Sequence, residues 1–435
     1  MNERRIILET LLLIEKEEDF GNRIIKDVTD KYAYLDRQHR SFINRVAQGC
    51  VERKIELDYV IDQFSKTPTD RMKPVILCIL RMGVYQLLYM DKVPDAAVCN
   101  EAVKLAAQKG FASLKGFVNG VLRTIAKNKD AIPYPDPKED PIKAASIRYS
   151  MPEELIRHFE THYPSQAASI LESFFRQNLT TIRINASKTD QNALRKKLGE
   201  QAQLCELKPL PGLAKQERAF ALKDYDRLMD LQAFSDGDFT VQDHASMQAV
   251  VQLELKCGDT VLDVCAAPGG KSLQAADILC KLGGGTVTAC DISEKKADLI
   301  RENQTRCGFN NIRIQVQSAS ERNEDYVNYA DVVIADLPCS GLGTIGRKAD
   351  IKYRMSLQQM EELVRLQRQI LQNVADYVKA GGTLLYSTCT LNPAENEEQA
   401  AWIENNLPFR LINMHQIFPG KTHDGFFFAV FRKRD

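Results

Sequence analysis

The chain has 435 residues, with 58 Lys and Arg against 58 Asp and Glu, and is 44% hydrophobic and 27% charged. This length corresponds to about three domains, and the zero net charge excludes a strongly basic coat that binds nucleic acid through bulk charge alone. The hydrophobic content excludes a disordered chain.

The start of the chain does not have the pattern of a targeting segment. Apolar residues up to Ile14 are followed at once by a charged run at 15–19. This pattern excludes a signal peptide with a small-residue cleavage site, and no run approaches the ~18 consecutive apolar residues of a membrane span. We therefore expect a cytoplasmic protein without a membrane partner.

The eleven cysteines are odd in number and scattered, and none forms a Cys-x-x-Cys pair. In a long chain expected to be cytoplasmic, this distribution disfavours a disulfide framework. The six histidines do not cluster with the cysteines, so we expect no metal site. Most of the cysteines are expected to be packing residues.

Residues 1–130 have helical periodicity throughout and predict an all-α bundle. A long helical stretch is predicted from Arg37 to Phe64, and Val75–Leu88 is apolar on all sides, as in a buried central helix. The four prolines that follow indicate a linker over residues 131–143.

One stretch of the predicted bundle is strongly basic. Residues 1–130 carry a formal charge of +4, whereas residues 236–435 carry −5. The basic run between residues 102 and 129 is either a solvated helix face or a surface that contacts phosphate groups. Six cations and no acids lie between 102 and 129: Lys104, Lys109, Lys115, Arg123, Lys127 and Lys129.

Residues 144–239 predict a small α+β domain. Helices fit Glu153–Phe159 and Ser165–Gln177, and Thr180–Asn185 alternates like a strand.

Residues 240–435 alternate between strands and helices, which predicts an α/β, Rossmann-like domain with a doubly wound, mostly parallel sheet. Ligands bind such sheets at the carboxyl ends of the strands. The predicted strands are Thr260–Val264, Thr286–Cys290, Ile312–Val316, Asp331–Asp336 and Thr383–Ser387, and the predicted helices are Lys271–Lys281, Glu294–Arg306, Leu357–Lys379 and Ala394–Asn405.

The first of these strands ends in DVCAAPGGKS, a small-residue loop before a helix that suits an anionic ligand. The G-x-G-x-x-G of a dinucleotide site is absent, and a P-loop would need glycine where Cys265 stands. The remaining ligand is S-adenosylmethionine, whose carboxylate needs a shorter cradle than a diphosphate. The candidate binding residues are Asp263, Cys265, Ala266, Ala267, Pro268, Gly269, Gly270 and Lys271.

Asp291 ends the second strand, 21 residues after Gly270. A carboxylate at this distance binds the ribose hydroxyls in nucleotide-type folds. An N-cap role for the following helix is the alternative.

Two cysteines follow strand ends at the predicted ligand edge. Cys339 comes after Asp336-Leu337-Pro338, and Cys389 comes after the fifth strand. Methyltransferases that act on an exocyclic nitrogen usually have Pro and an aromatic residue at the strand end where this chain has Cys339. A cysteine there suits attack on a ring carbon instead. Either thiol alone would be interpreted as buried packing, but the pair favours chemistry.

In order and spacing, DVCAAPGGKS, DLPCSGLG and STCT resemble the RNA 5-methylcytosine methyltransferases, from about Gln242 to the C-terminus. Val241–Met247 resembles the family's entry into the catalytic domain, and His423–Phe427 its final strand. Arg183 and Asn185 resemble an Arg-x-Asn in the preceding domain. Residues 1–128 resemble the antitermination factor NusB.

The resemblance implies S-adenosylmethionine as cofactor and Cys389 as the nucleophile that adds to cytosine C6. Cys339 would then assist breakdown of the adduct, although DNA 5-methylcytosine methyltransferases use the cysteine of the Pro-Cys motif as nucleophile. Asp336 would hydrogen-bond the cytosine at N3 or at the amino group, and it is also a candidate cofactor-binding residue. Lys271 would support the same end of the pocket or lower a thiol pKa.

One position departs from the family pattern. After the third strand the family carries Asp, which reads the adenine amino group, whereas this chain has Ser318. Adenine recognition would then depend on Ser318, on backbone groups or on Asp291.

The partner expected from the resemblance is RNA, and the NusB-like front favours ribosomal RNA of the small (16S) subunit. A transfer RNA 5-methylcytosine methyltransferase is one alternative. A NusB-like RNA-binding regulator with an inactive methyltransferase domain is the other, and the presence of both thiols argues against it. We expect a monomer.

Overall fold

The structure is a computed structural model that describes residues 3–16, 21–176, 179–214, 216 and 218–435. The chain forms two compact units. The first is Met1–Phe175 with Arg347–Arg354, and the second is Arg176–Gly346 with Met355–Asp435. The division after residue 175 falls within the stretch 144–239, whose ends stay sequence predictions. In the described part of the chain no helix is long and apolar enough to cross a membrane.

Helices make up the first unit and most of the connections in the second. In chain order they are α1 (Glu3–Ile14), α2 (Gly21–Lys31), α3 (Arg37–Glu52), α4 (Lys54–Phe64), α5 (Pro74–Tyr89), α6 (Asp95–Gln108), α7 (Lys115–Asn128), α8 (Pro141–Arg148), α9 (Glu153–His162), α10 (Ala167–Ser173), α11 (Gln191–Leu198), α12 (Gln232–Ser235), α13 (His244–Val251), α14 (Gly270–Leu282), α15 (Glu294–Cys307), α16 (Ile351–Arg354), α17 (Leu357–Tyr377) and α18 (Glu397–Asn406).

The strands form two sheets, both in the second unit. A four-stranded antiparallel sheet has the order β2-β3-β1-β4, and a seven-stranded mixed sheet has the order β10-β11-β9-β8-β5-β6-β7. The strands are β1 (Thr180–Ile184), β2 (Gln203–Glu206), β3 (Ala219–Lys223), β4 (Phe239–Val241), β5 (Thr260–Asp263), β6 (Thr286–Asp291), β7 (Ile312–Val316), β8 (Ala330–Asp336), β9 (Val378–Thr388), β10 (Phe409–Ile417) and β11 (Phe426–Lys433).

The all-α interpretation of the N-terminal residues is confirmed. Helix α5 is buried continuously from Cys78 to Leu87, as its apolar composition predicts, and its one cation, Arg81, pairs with Asp58 on α4 at 2.6 Å. The stretch predicted as one long helix from Arg37 to Phe64 is wrong in one respect. It breaks at Arg53, whose φ of −113° lies outside the helical region.

Helix α16 belongs to the helical unit, although in sequence it lies between the DLPCSGLG and STCT motifs of the second unit. The Lys352 ammonium donates to the Glu52 carbonyl at 2.7 Å. Burial lowers the pKa of Lys352 to about 7. The Tyr353 hydroxyl lies 3.1 Å from the Ser150 hydroxyl. No sequence pattern predicted this packing, which depends on residues far apart in the chain.

Arg183, the first residue of the Arg-x-Asn motif, links the four-stranded sheet to helix α14 of the larger sheet. Arg183 on β1 is buried and donates to the Asp277 carboxylate on α14 at 3.1 Å. The same carboxylate accepts the backbone N–H groups of Ala186 and Ser187. Arg183 and Asp277 therefore form a buried ion pair with further hydrogen bonds, the arrangement in which such pairs are tolerated. The predicted helix Ser165–Gln177 corresponds to α10 and stops earlier, and Gln177 lies outside the described residues.

The seven-stranded sheet confirms the Rossmann-like prediction. Strands β5 to β9 pair in parallel, and β11 and β10 add an antiparallel edge. Residues of α13, α14 and α15 pack on one face and those of α17 and α18 on the other. The last helix begins at Glu397 and not at Ala394, because Pro393–Glu395 forms a 3₁₀ turn. This arrangement brings the carboxyl ends of β5, β6, β8 and β9 to one edge.

Candidate active site

Asp263 ends β5 at the edge where the predicted site lies. Its side chain is 1% exposed, and its Oδ2 accepts the Ser272 hydroxyl at 2.6 Å. Its Oδ1 is buried and has no hydrogen-bond partner. Burial raises the pKa of Asp263 to about 7. A buried carboxylate oxygen without a partner is costly unless a ligand donates to it.

The loop from Cys265 to Gly270 turns from β5 into α14 as a cradle. The Ala266 N–H donates to the Cys290 carbonyl at 2.9 Å, which holds the loop against β6. Gly269 has φ of +104°, a left-handed conformation that favours glycine. It is the N-cap of α14 and supplies no side-chain cap, so the helix start offers backbone donors to an anionic group.

Two other candidate residues of the cradle, Cys265 and Pro268, have structural roles in the loop. Burial raises the pKa of the Cys265 thiol, so this cysteine is not an activated nucleophile. Pro268 contributes its carbonyl, which accepts from the Asn303 side chain at 3.1 Å. These contacts fix the shape of the loop.

Asp291 lies at the end of β6, next to the cradle, and is buried. Its Oδ2 accepts the Ala267 N–H at 2.8 Å, and its Oδ1 accepts from Ile292 N–H at 2.8 Å and from Lys296 at 3.1 Å. A carboxylate has about four acceptor positions, so Asp291 holds the loop and keeps capacity for a ligand hydroxyl.

Ser318 follows β7, the strand next to β6. Its hydroxyl lies 2.8 Å from the Ser320 hydroxyl, while the Gln317 N–H donates to the Asp291 carbonyl at 2.9 Å. The structure therefore brings Ser318 near Asp291 through the backbone. A hydroxyl at this position offers a neutral acceptor in place of a charged one.

The two cysteines predicted to act together meet in the structure. Cys339 follows β8, Cys389 follows β9, and their Sγ atoms are 3.3 Å apart. The Cys389 N–H also lies 3.3 Å from the Cys339 Sγ. The hydrogen bond with Cys389 and burial raise the pKa of the Cys339 thiol well above its usual range. This environment keeps Cys339 protonated.

Asp336 and Lys271 pair at the same edge. The Lys271 ammonium is buried and lies 2.7 Å from the Asp336 Oδ2. The Ser387 hydroxyl donates to the Asp336 Oδ1 at 2.7 Å. The Asp336 side chain is 34% exposed, so it remains reachable by a substrate.

Sequence reasoning missed two groups at this site, Ser387 and Phe426. Ser387 contacts Asp336 because β8 and β9 pair in parallel with these two residues in register. The Phe426 ring lies 5.0 Å from the Lys271 ammonium, within cation–π range. Both residues stood inside recognised motifs, but the register of β8 and β9 reveals the first contact and the packing of α14 against β11 the second.

Two glycines hold the cysteine loops close together. The Gly343 N–H donates to the Cys389 carbonyl at 3.1 Å, and the Gly425 N–H donates to the Gly343 carbonyl at 2.8 Å. A Cβ on Gly343 would lie 2.2 Å from the Gly425 carbonyl oxygen and 2.8 Å from that of Cys389. The close backbone approach, and not a special φ, requires glycine here.

The charged environment and the cradle fit S-adenosylmethionine. The partnerless Asp263 Oδ1 and the acceptor capacity of Asp291 suit a cationic ligand that carries a ribose, and the uncapped start of α14 suits its carboxylate. Among the described residues, no cluster of His, Cys, Asp and Glu could hold a metal ion.

Comparisons with known proteins support this interpretation. Residues 250–432 match the family described as 16S rRNA methyltransferase RsmB/F, and residues 1–127 match the NusB family. A Bacillus subtilis protein named "Probable ribosomal RNA small subunit methyltransferase B" is 32% identical over 455 residues, which cover 99% of this chain and 98% of that protein.

Two solved structures share the fold. The crystal structure of PH0851 has a TM-score of 0.84 at 23% identity and covers 100% of this chain and 99% of that chain. NSun6 from Pyrococcus horikoshii has a TM-score of 0.56 at 21% identity, over 65% of this chain and 98% of that chain.

A Rossmann-like domain with this cradle and this strand-end chemistry defines a methyltransferase of the class that depends on S-adenosylmethionine. A sequence identity of 32% over almost all of both proteins identifies the family within this class. The chain belongs to the ribosomal RNA small subunit methyltransferase B (RsmB) family.

Proposed function

We propose that the protein transfers a methyl group from S-adenosylmethionine to carbon 5 of a cytosine in small-subunit ribosomal RNA. The observation that carries this proposal is the 3.3 Å separation of the Cys339 and Cys389 sulfurs beside Asp336. Transfer to an exocyclic nitrogen needs no thiol, whereas transfer to a pyrimidine ring carbon needs a nucleophile on the ring.

Carbon 5 of cytosine is a weak nucleophile, and a thiolate bonded to carbon 6 makes it enamine-like. Cys389 forms this bond in our proposal. The Cys339 thiol, held protonated by its hydrogen bond and its burial, can donate to the Cys389 sulfur and favour its thiolate form. Once carbon 5 has taken up the methyl group, its proton passes to a water molecule, and the electron pair of the C5–H bond expels the Cys389 sulfur from C6. The protonated Cys339 assists this release by donating a hydrogen bond to the departing Cys389 sulfur.

Asp336 orients the base. It accepts a hydrogen bond from the amino group or from protonated N3, which withdraws electrons from the ring as carbon 6 is attacked. Lys271 and Ser387 fix the carboxylate through its two oxygens. A target base must leave any stack to reach this strand edge.

The cofactor would be held by Asp263, the loop from Cys265 to Gly270, Asp291 and Ser318. It supplies an electrophilic methyl group on a sulfonium sulfur. The structure of NSun6 was solved with SFG, an analogue of S-adenosylmethionine, which supports the same ligand class here.

The NusB-like helices would contact the RNA. Lys104, Lys109 and Lys129 each pair with an acid at 2.8–3.1 Å, which lowers their value as phosphate contacts. The other three cations of the basic run lie exposed on α7, within about one third of the helix circumference at 100° per residue. These residues are Lys115, Arg123 and Lys127.

Nucleoside analysis tests the proposal. Purified protein would be incubated with methyl-labelled S-adenosylmethionine and 16S RNA, and the digested RNA would be separated by liquid chromatography with mass detection. We expect label in 5-methylcytidine and none with Cys389→Ala. Label in N4-methylcytidine, or full activity of Cys389→Ala, would overturn the proposal.

A further inference from the structure

Two consecutive buried residues, Glu395 and Asn396, contact both loops that carry the active-site thiols. They lie between the end of β9 and the start of α18. Both are buried. A buried carboxylate is costly unless hydrogen bonds compensate for its lost hydration. The hydrogen bonds of Glu395 and Asn396 therefore indicate what these two residues do.

Asn396 binds the residues on either side of Cys389. Its Oδ1 accepts the Thr388 hydroxyl at 2.6 Å, and its Nδ2 donates to the Thr390 carbonyl at 3.1 Å. The same Nδ2 donates to the Gln416 side chain at 2.8 Å. The amide therefore fixes the turn in which Cys389 leaves the sheet.

Glu395 binds the loop of Cys339 in the same way. Its Oε2 accepts the Ser340 N–H at 2.9 Å, and its Oε1 accepts the Ser340 hydroxyl. The Gln367 Nε2 donates to Oε2 at 3.0 Å and to the Pro338 carbonyl at 2.9 Å. Glu395 thus binds the residue after Cys339 directly and the residue before it through Gln367.

The two sets of contacts join. The Ser340 and Thr390 hydroxyls are 2.6 Å apart, and the Asn392 amide donates to the Glu395 Oε1 at 2.9 Å. Four donors therefore match the four acceptor positions of an ionised carboxylate. A fully satisfied buried network rigidifies the groups it contains.

We propose that Glu395 and Asn396 are positioning residues that set the separation and direction of the two active-site thiols. What the thiols do rests on the proposed function, whereas their geometry does not. Both cysteines lie beyond the ends of their strands, where no ladder hydrogen bonds fix the backbone. Catalytic groups must be held within about 0.5 Å of the productive geometry, and these two side chains supply the contacts.

One variant tests each half of the network. Glu395→Gln is isosteric but turns two acceptor positions into donors, which then face donors of Ser340, Asn392 or Gln367. Asn396→Asp replaces a donor with an oxygen that faces the Thr390 carbonyl. The control is Gln399→Met, a buried residue of α18 whose amide contacts Val364 and Arg368.

The first readout is the balance between adduct formation and product release under single-turnover conditions. A displacement of about 1 Å can change a rate by about 100-fold. We expect Glu395→Gln to slow release by about tenfold or more, so that protein–RNA adduct accumulates. We expect Asn396→Asp to slow adduct formation by a similar factor without accumulation. Gln399→Met should leave the balance at the wild-type value, even if its stability falls.

The second readout needs no RNA. Diamide oxidises neighbouring thiols to a disulfide, and mass spectrometry of peptides measures the Cys339–Cys389 cross-link. We expect cross-linking to slow about tenfold in Glu395→Gln and Asn396→Asp and to remain unchanged in Gln399→Met. If Glu395→Gln does not fold, Ser340→Ala removes only the hydroxyl that joins the loops and should slow cross-linking in the same direction.

The outcomes separate the two proposals. Wild-type cross-linking rates in the variants would overturn the positioning role. Slowed cross-linking, together with no adduct from any variant that retains Cys389, would support the positioning role and contradict the proposed function.

Discussion

The substitution Gly343→Ala should impair methyl transfer to RNA, although it removes no side chain that takes part in the transfer. Gly343 lies in the loop after Cys339, and its backbone binds the Cys389 carbonyl and the Gly425 N–H. An added Cβ would lie 2.2 Å from the Gly425 carbonyl oxygen, where ordinary contacts begin at 3.4 Å. The backbone of one loop must therefore move by about 1.2 Å, the difference between these distances.

The cost falls on both stability and rate. Overpacking of this kind destabilises by about 1–3 kcal/mol, and a shift of about 1 Å at reacting groups lowers a rate by about 100-fold. Because the Cys389 carbonyl also lies only 2.8 Å from the same Cβ, about 0.6 Å inside ordinary contact, relief of the overlap displaces the loop of the proposed nucleophile as well. We expect kcat to fall by about 100-fold, while the affinity for S-adenosylmethionine changes little.

The assay is steady-state methyl transfer to 16S RNA, with cofactor affinity measured by calorimetry. Gly116→Ala is the control, because nothing lies within 4 Å of the Cβ it adds on α7. Its kcat should stay at the wild-type value. A folded Gly343→Ala protein with kcat within twofold of wild type would refute the argument from close backbone approach.

Two further predictions concern charge. Burial raises the pKa of Asp263 to about 7, whereas the same carboxyl in the unfolded chain releases its proton near pH 4. The bound proton therefore stabilises the folded state, fully below pH 4, and this contribution is lost as the pH rises to 7. Urea unfolding should therefore show the stability of wild type falling relative to Asp263→Asn between pH 5 and 8, and a constant difference would contradict this burial effect. Replacing Lys115, Arg123 and Lys127 by Ala should lower the slope of log affinity for 16S RNA against log salt by about 2 to 3. Lys104→Ala, which removes a cation already paired with an acid, should change that slope little, and an unchanged slope in the triple variant would exclude the α7 surface.

Local patterns in the sequence predicted the five parallel strands of the α/β domain, the helices that follow them and the edge where we expect its ligands, but not α13 or β10. Cys339, Cys389 and Asp336 were found because Asp336 ends, and each cysteine follows, a strand whose apolar run is recognisable. Strand order then brings them together, since parallel strands share an edge.

The supporting contacts could not be predicted in the same way. Ser387 reaches Asp336 only through the register of β8 and β9. Gly343 is constrained by backbone 46 and 82 residues away, at Cys389 and Gly425. Glu395 contacts Ser340 across 55 residues. Each depends on tertiary packing, which leaves no periodic signal in the chain.

The helical unit shows the same division. The buried helix α5 followed from composition, because a helix that is apolar on all sides must be central. The packing of α16 in this unit did not follow, since Lys352 and Tyr353 bind backbone and side-chain groups about 200 to 300 residues earlier.

The most direct test of the central claim is a covalent trapping experiment with the two cysteine variants. Wild type, Cys339→Ala and Cys389→Ala would each be incubated with S-adenosylmethionine and 16S RNA, denatured, and separated on a denaturing gel. We predict a stable protein–RNA adduct with Cys339→Ala, because adduct breakdown is impaired, and none with Cys389→Ala, because the bond to carbon 6 cannot form. An adduct that accumulates with Cys389→Ala and not with Cys339→Ala would contradict the assignment of the two thiols.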